Sequence, residues 1–177
     1  MKNPNLSKTN LRIYKYGEDV LREKCKKIEK IDELIKTFVN KMKRIMIEKN
    51  GVGLAAPQVG KAIQLVIVDP SVGEDPEEFL PLINPEIINS EGEESGEEGC
   101  LSVPGILLQI KRSQKITIKA LDLDGKEFTQ DFSDFKARVI QHELDHLNGT
   151  LIIDKVSSLK RQFVKKEIKR IKNNGEW

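Results

Sequence analysis

The sequence is poor in the features that build covalent scaffolds and membrane segments. It has only two cysteines, Cys25 and Cys100, which are too few for a disulfide framework, although one Cys25–Cys100 bridge is an alternative. No stretch approaches the ~20 apolar residues of a membrane span, and residues 1–17 contain no apolar run of signal-peptide length. We therefore expect a cytoplasmic protein with reduced thiols and no membrane partner.

Charge is abundant but nearly balanced. Charged residues make up 33% of the chain, yet the net charge is only +2, which argues against a strong polyanion binder and predicts no DNA partner. The 177 residues, 38% of them hydrophobic, are enough for one buried core and few for two. We expect a single catalytic domain over residues 1–177.

The apolar spacing changes between helical and strand periods along the chain. It predicts an α+β fold with small antiparallel or mixed sheets around a central helix, and a C-terminal helix. The predicted helices cover residues 32–48, 133–149 (including the capping residues at both ends) and 157–172. A short helical turn is predicted before them, at residues 18–24. The predicted strands cover 64–69, 80–88, 106–110, 115–121 and 128–132. Pro81 and Pro85 favour a sheet edge for the second strand, and the acidic residues 91–98 predict a solvated loop.

Both histidines of the chain lie in one hexapeptide, QHELDH at 141–146. Positions i and i+4 share a helix face, so His142 and His146 can reach one metal ion. Glu143 lies about 100° further round the helix, where it can hold a water molecule without ligating the metal. A metal would lower the pKa of its bound water from ~15.7 toward ~7, and Glu143 would accept the proton. The alternative is a charged helix with two incidental histidines.

A catalytic site of this kind needs a third protein ligand and an open position. The metzincin pattern would place that ligand at Ile152, which cannot ligate. Thermolysin-like enzymes use a glutamate on a later helix, and Glu167 is available, but it lies among lysines that would pair with it. Cys100 is the better candidate, because a thiolate and two imidazoles suit Zn²⁺ or Fe²⁺. Its alternative role is a small buried core residue.

Three stretches resemble the signature motifs of the peptide deformylase family: GVGLAAPQ at 51–58, EGCLS at 98–102 and QHELDH at 141–146. The similarity extends over nearly the whole chain and is to the bacterial and organellar type. It implies a metal-dependent hydrolase that removes the formyl group from the N-terminal formylmethionine of newly made polypeptides and releases formate. It also implies one divalent metal ion per chain, Fe²⁺ in the cell, with Zn²⁺, Ni²⁺ or Co²⁺ possible in purified protein.

The resemblance assigns a role to each motif. The implied metal ligands are Cys100, His142 and His146, and the implied general acid and base is Glu143. The Gln58 amide and the backbone N–H of Leu101 would stabilise the oxyanion, and such donors contribute ~3 kcal/mol each. Gly53 would contact the substrate through its backbone.

The substrate requires a pocket that accepts a flexible apolar methionine side chain. We expect it to be lined by Val52, Gly99, Phe135, Arg138 and Val139. Arg138 stands where family members often have an aliphatic residue, so it would make the pocket rim more polar. The alternative is that its side chain lies outward. Behind the site, Asp145 is expected to pair with Arg112.

The C-terminal helix is rich in basic residues. These are Lys155, Lys160, Arg161, Lys165, Lys166, Lys169, Arg170 and Lys172. An apolar stripe of Leu159, Phe163, Ile168 and Ile171 favours a packed helix with a solvated basic face. The alternative is that this face contacts ribosomal RNA, in keeping with the family's co-translational role.

Two further functions fit the residues. One is a zincin-type endopeptidase with Glu167 as the third ligand, and the other is a non-catalytic, metal-stabilised binding module on the ribosome. Replacing Cys100 by alanine separates the deformylase from the endopeptidase. Replacing Glu143 by alanine separates both enzymes from the binding module.

Overall fold

The computed structural model describes residues 11–175 and 177. Its strands are β1 (Gly53–Ala55), β2 (Leu65–Val68), β3 (Leu80–Glu91), β4 (Glu94–Glu98), β5 (Leu108–Arg112), β6 (Lys115–Leu121) and β7 (Glu127–Ser133). Its α-helices are α1 (Glu33–Glu48), α2 (Asp134–Leu147) and α3 (Ser158–Asn173). An antiparallel five-stranded sheet has the order β1-β2-β3-β6-β7, and β4 pairs with β5 in a separate sheet. The predicted α+β fold is confirmed.

The five-stranded sheet lies between α1 and α2. Alternate residues of a strand face opposite sides of a sheet, so Leu65 and Ile67 pack in the cluster of α1, whereas Val66 and Val68 pack in that of α2. All four are fully buried, which explains why β2 is a continuous apolar run. The helix with both histidines is therefore held against the sheet.

The side chain before α1 caps its helix, whereas the side chain before α2 does not. The Asp32 side chain accepts hydrogen bonds from the N–H groups of Leu34 and Ile35, both at 3.1 Å, and caps α1. Ser133 precedes α2 without capping its backbone, since its hydroxyl donates to the Asp134 carboxylate. The predicted turn at 18–24 is present as a 3₁₀ turn, Asp19–Arg22.

The strand with Pro81 and Pro85 lies in the middle of its sheet, so the edge prediction is wrong. β2 pairs only with the start of β3, residues 80–83, whereas β6 pairs with residues 83–91. Pro81 therefore has a neighbouring strand on one side only, and Pro85 falls in a register shift. Neither position requires the N–H group that proline lacks.

The acidic residues 91–98 are largely exposed, as predicted, but most of them form strands and not a loop. Glu94–Glu98 forms β4, antiparallel to β5, and within it Glu97 is exposed but Glu98 is buried. The strand predicted at 106–110 begins two residues later, because a turn around Pro104 and Gly105 precedes it.

The apolar stripe predicted on α3 is partly wrong. Ile168 and Ile171 are buried together with Val164, and these positions share one helix face. Leu159 and Phe163 lie on a neighbouring face, 64% and 61% exposed. Among residues 11–175 and 177, none of the helices could span a membrane.

Candidate metal centre and active site

Three side chains that could hold a metal ion converge at the end of β4 and one face of α2. Cys100 follows β4, and His142 and His146 lie one turn apart on α2. Their ligand atoms all lie within 4.8 Å of one another, and Cys100 Sγ is 3.3 Å from His146 Nε2. The imidazole rings meet edge to face, with centroids 5.1 Å apart.

The surroundings of these side chains suit a divalent metal. His142 Nδ1 lies 3.0 Å from Glu98 Oε2, which leaves Nε2 as the available ligand atom. Burial lowers the pKa of His146 well below its ordinary value, so its neutral ring can offer a lone pair. Burial would also lower the pKa of His142, but contacts with Cys100 and Glu98 raise it, so metal binding would displace a proton from this ring. One thiol and two imidazoles form a donor set for Zn²⁺ or Fe²⁺. The residues present therefore fit the metal cofactor that the motif predicts.

Glu143 is buried beside this group. The residue is 4% exposed, and its Oε2 has no hydrogen-bond partner among the described residues. Burial is the main reason that the pKa of Glu143 is raised to about 7. A carboxyl group with a pKa near neutrality can accept and release a proton at physiological pH.

Glu98 is the centre of a buried charge network. Arg112 binds both of its oxygens, with Nε and Nη2 each 2.9 Å away, and Arg138 Nη1 donates to Oε1 at 2.9 Å. Burial alone would raise the pKa of Glu98, but hydrogen bonds from Arg112 and His142 outweigh it and lower the pKa to about 2. The ionised carboxylate thus orients His142 through Nδ1.

The network continues behind the site. Arg112 Nη1 donates to Asp145 Oδ2 at 2.6 Å, so the structure contains the pair expected from the sequence. Asp145 Oδ1 in turn lies 2.9 Å from Lys155 Nζ. Sequence reasoning missed the contribution of Glu98, although its place as first residue of EGCLS was a usable signal.

Gln58 points its amide nitrogen at the thiol of Cys100. It lies in the 3₁₀ turn Ala56–Val59 that follows β1, and its Oε1 accepts from the N–H of Ala55 at 2.8 Å. Its Nε2 therefore faces the site, 3.3 Å from Ser102 Oγ and 3.6 Å from Cys100 Sγ. The contact with Ser102 was not foreseen from the sequence.

A groove of about 1040 Å³ opens beside these residues. Its lining includes the five residues expected for the pocket, namely Val52, Gly99, Phe135, Arg138 and Val139, together with Gly53, Gln58, Cys100, Leu101, His142 and Glu143. Ile45 and Leu107 also line it and were missed. Leu107 and Phe135 are 62% and 55% exposed, so apolar side chains border its open part.

The alternatives raised by the sequence are not supported by this geometry. Glu167 pairs with Arg170 on an exposed part of α3, with Arg170 Nη2 2.6 Å from Glu167 Oε1, whereas Cys100 lies beside the histidines. Cys25 and Cys100 are both free thiols, so the disulfide interpretation is wrong. Cys25 is buried in the core against α2.

Comparisons with known proteins agree on one family. The family model described as "Polypeptide deformylase" matches residues 10–162. The chain is similar to a peptide deformylase of Acidobacterium capsulatum, 42% identical over 165 residues that cover 93% of this chain and 97% of the relative. It is also 45% identical over 159 residues to a peptide deformylase of Thermodesulfovibrio yellowstonii, covering 90% and 96% of the two chains. A crystal structure of a Legionella pneumophila peptide deformylase superimposes with a TM-score of 0.88 at 39% identity, covering 93% and 96%.

Proposed function

The chain belongs to the peptide deformylase family, and we propose that Cys100, His142 and His146 hold its divalent metal ion. The reaction is hydrolysis of the N-formyl group from the formylmethionine of newly made polypeptides, with release of formate. The observation that supports the assignment is the convergence of three ligand atoms within 4.8 Å of one another. When bound, the ion would supply Lewis acidity, lowering the pKa of a coordinated water from ~15.7 toward ~7.

Glu143 is proposed to move the proton. Its Oε2 is buried and has no partner in the described residues, so it can accept a proton from water. With a pKa raised by burial to about 7, the carboxyl can then release that proton to the departing amine. Gly53, whose backbone packs against Glu143, would keep this acid in place and contact the substrate.

Gln58 and the N–H of Leu101 are proposed to stabilise the oxyanion. The bond from Ala55 fixes the orientation of the Gln58 amide, so its N–H groups are directed toward Cys100 before the substrate binds. Preorganised donors of this kind contribute ~3 kcal/mol each. Val52, Phe135, Val139 and Gly99 would surround the methionine side chain in the groove.

The ion in the cell is proposed to be Fe²⁺. The thiolate and imidazole set also accepts Zn²⁺, Ni²⁺ or Co²⁺, so purified protein can hold any of these. The proposed location is the cytoplasm, where new polypeptides are made.

The ribosome is proposed as a partner through α3. Part of the basic surface serves the protein itself: Lys155 pairs with Asp145, and Arg161 donates to the carbonyl groups of Ile153 and Asp154. Lys160, Lys165 and Lys169 are exposed. Replacing these three by glutamine should weaken co-sedimentation with ribosomes, whereas replacing Lys24, Lys27 and Lys30, also exposed, should not. Equal binding by both triple variants would contradict the proposal.

Formate release from a short formyl-methionyl peptide tests the function. Protein purified without oxygen and reconstituted with Fe²⁺ or Ni²⁺ should release formate rapidly. Cys100→Ala should lose both metal and activity, whereas Cys25→Ala, the matched thiol control, should keep both. Glu143→Ala should keep the metal and lose activity. An active Cys100→Ala protein would exclude the proposed ligand set.

A further inference from the structure

The Cys100 thiol and the two histidines belong to parts of the fold that share no β ladder. Cys100 follows β4, and the β4–β5 sheet is separate from the five-stranded sheet against which α2 packs. Side-chain contacts between α2 and the hairpin formed by β4 and β5 therefore help to set the distance from Cys100 to His142 and His146. A residue that makes such a contact can position the thiol relative to the two histidines.

Arg138 makes that contact with both strands of the hairpin. It lies on α2 one turn before His142, and its side chain is 11% exposed. Its Nη1 donates to Glu98 Oε1 and to the carbonyl oxygen of Ile110, both at 2.9 Å, and its Nη2 donates to the carbonyl oxygen of Glu94 at 3.0 Å. One guanidinium group thus joins α2 to β4 and β5.

Gly96 provides the space that this guanidinium occupies. A Cβ at position 96 would lie 2.8 Å from Arg138 Cζ and 2.9 Å from Nη2, closer than such atoms can pack. The backbone of β4 therefore approaches the charged group directly, and a side chain at position 96 would have to push the guanidinium aside. Gly96 and Arg138 are therefore complementary in shape, although they are distant in the sequence.

We propose that Arg138 and Gly96 together dock the hairpin of Cys100 onto the histidine helix, and that Arg138 is a positioning residue for the metal site. This inference rests on the proposed ligand set. Arg138 donates three hydrogen bonds to the hairpin, so it connects two parts of the fold and does not only add polarity to the pocket rim. Outer partners of metal ligands change metal affinity by ~10–100-fold when removed.

The test compares Arg138→Met with Lys136→Met in protein loaded with Co²⁺. Lys136 is on the same helix and pairs with Glu78 at 2.9 Å, so its replacement removes one charge and one ion pair away from the hairpin. Arg138→Met should lose Co²⁺ to a chelator ~10–100-fold faster than the unmodified protein. Lys136→Met should lose it at the unmodified rate and should keep the unmodified KM for a formyl-methionyl peptide at saturating Co²⁺.

Two controls keep the inference separate from folding and from the proposed function. Gly96→Ala should also speed Co²⁺ loss, but not in the Arg138→Met background, because the methyl group then meets no guanidinium.

In metal-free protein, amide hydrogen exchange of residues 94–112 should be faster in Arg138→Met than in Lys136→Met. Unmodified protein that binds no Co²⁺ would refute the ligand set, and the exchange result would still decide the docking role. Unchanged Co²⁺ loss and exchange, or a raised KM alone, would overturn the inference.

Discussion

The backbone of Gly53 lies directly against the carboxylate of Glu143. A Cβ atom at position 53 would lie 2.5 Å from Glu143 Oε1 and 2.8 Å from Val139 Cγ1. No side chain can fit there unless the side chains of Glu143 and Val139 move or β1 shifts. The second glycine of GVGLAAPQ thus places a strand next to the buried acid.

Gly53→Ala should impair catalysis more than folding. The added methyl group must displace Glu143 or β1, and a misplacement of ~1 Å at an active site costs ~10²-fold in rate. We expect kcat for formate release to fall ~10–100-fold, with metal content unchanged. Steady-state kinetics and metal analysis check this, and a variant with normal kcat would show that the close approach has no functional importance.

Gln58→Glu should lower kcat while the metal stays bound. The new side chain keeps the oxygen that accepts from Ala55 N, but it replaces the donor amide by a second oxygen. Loss of one oxyanion donor costs ~10²–10³-fold in kcat. Gln130→Glu, on the exposed face of β7, makes the same chemical change elsewhere and should leave formate release unaltered. Equal kinetics for the two variants would remove Gln58 from the mechanism.

Glu98→Gln should destabilise the fold strongly, and its neighbour offers the control. Removing the charge leaves Arg112 buried, with only its Asp145 partner, and breaking a buried ion pair costs ~3–5 kcal/mol. Glu97→Gln changes an exposed side chain and should stay within ~0.5 kcal/mol. Urea unfolding of both variants measures the difference, and similar midpoints would contradict a stabilising charge network around Glu98.

Asp154 should contribute stability that depends on pH. Burial would raise its pKa, but hydrogen bonds from Arg22 and from the N–H of Leu151 outweigh it, and the pKa is lowered. A lowered pKa in the folded state gives stability that is present above the unfolded pKa of ~3.9 and lost as the pH falls further.

Asp154→Asn should therefore be less stable by ~1 kcal/mol near neutral pH, and the difference should shrink below pH ~3.9. Urea unfolding across this pH range provides the measurement. Asp19→Asn, at an exposed position, should stay within ~0.5 kcal/mol throughout. A difference for Asp154→Asn that persists in acid would mean that the carboxylate charge is not its cause.

Local relationships explain what could be predicted from the sequence. The i, i+4 spacing of His142 and His146 guarantees a shared helix face wherever the helix packs. Asp32 caps α1 as expected because the donors that it binds follow within three residues. Prediction failed where the position of a residue in the sheet depends on strands that are distant in sequence. Pro81 is an example, because its place inside the sheet depends on how far β2 and β6 extend along β3.

The sequence by itself determined the family, the α+β class and the residues that can ligate a metal, because motifs and apolar periods are local properties of the chain. Only the tertiary structure decided which acid orients His142. Period-2 alternation in β4 buries Glu98 and exposes Glu97, and that choice depends on the register with β5. The tertiary structure also directs Arg138 to the hairpin of Cys100. Hydrogen-bond partners more than 25 residues apart in the sequence are selected by packing and not by local spacing.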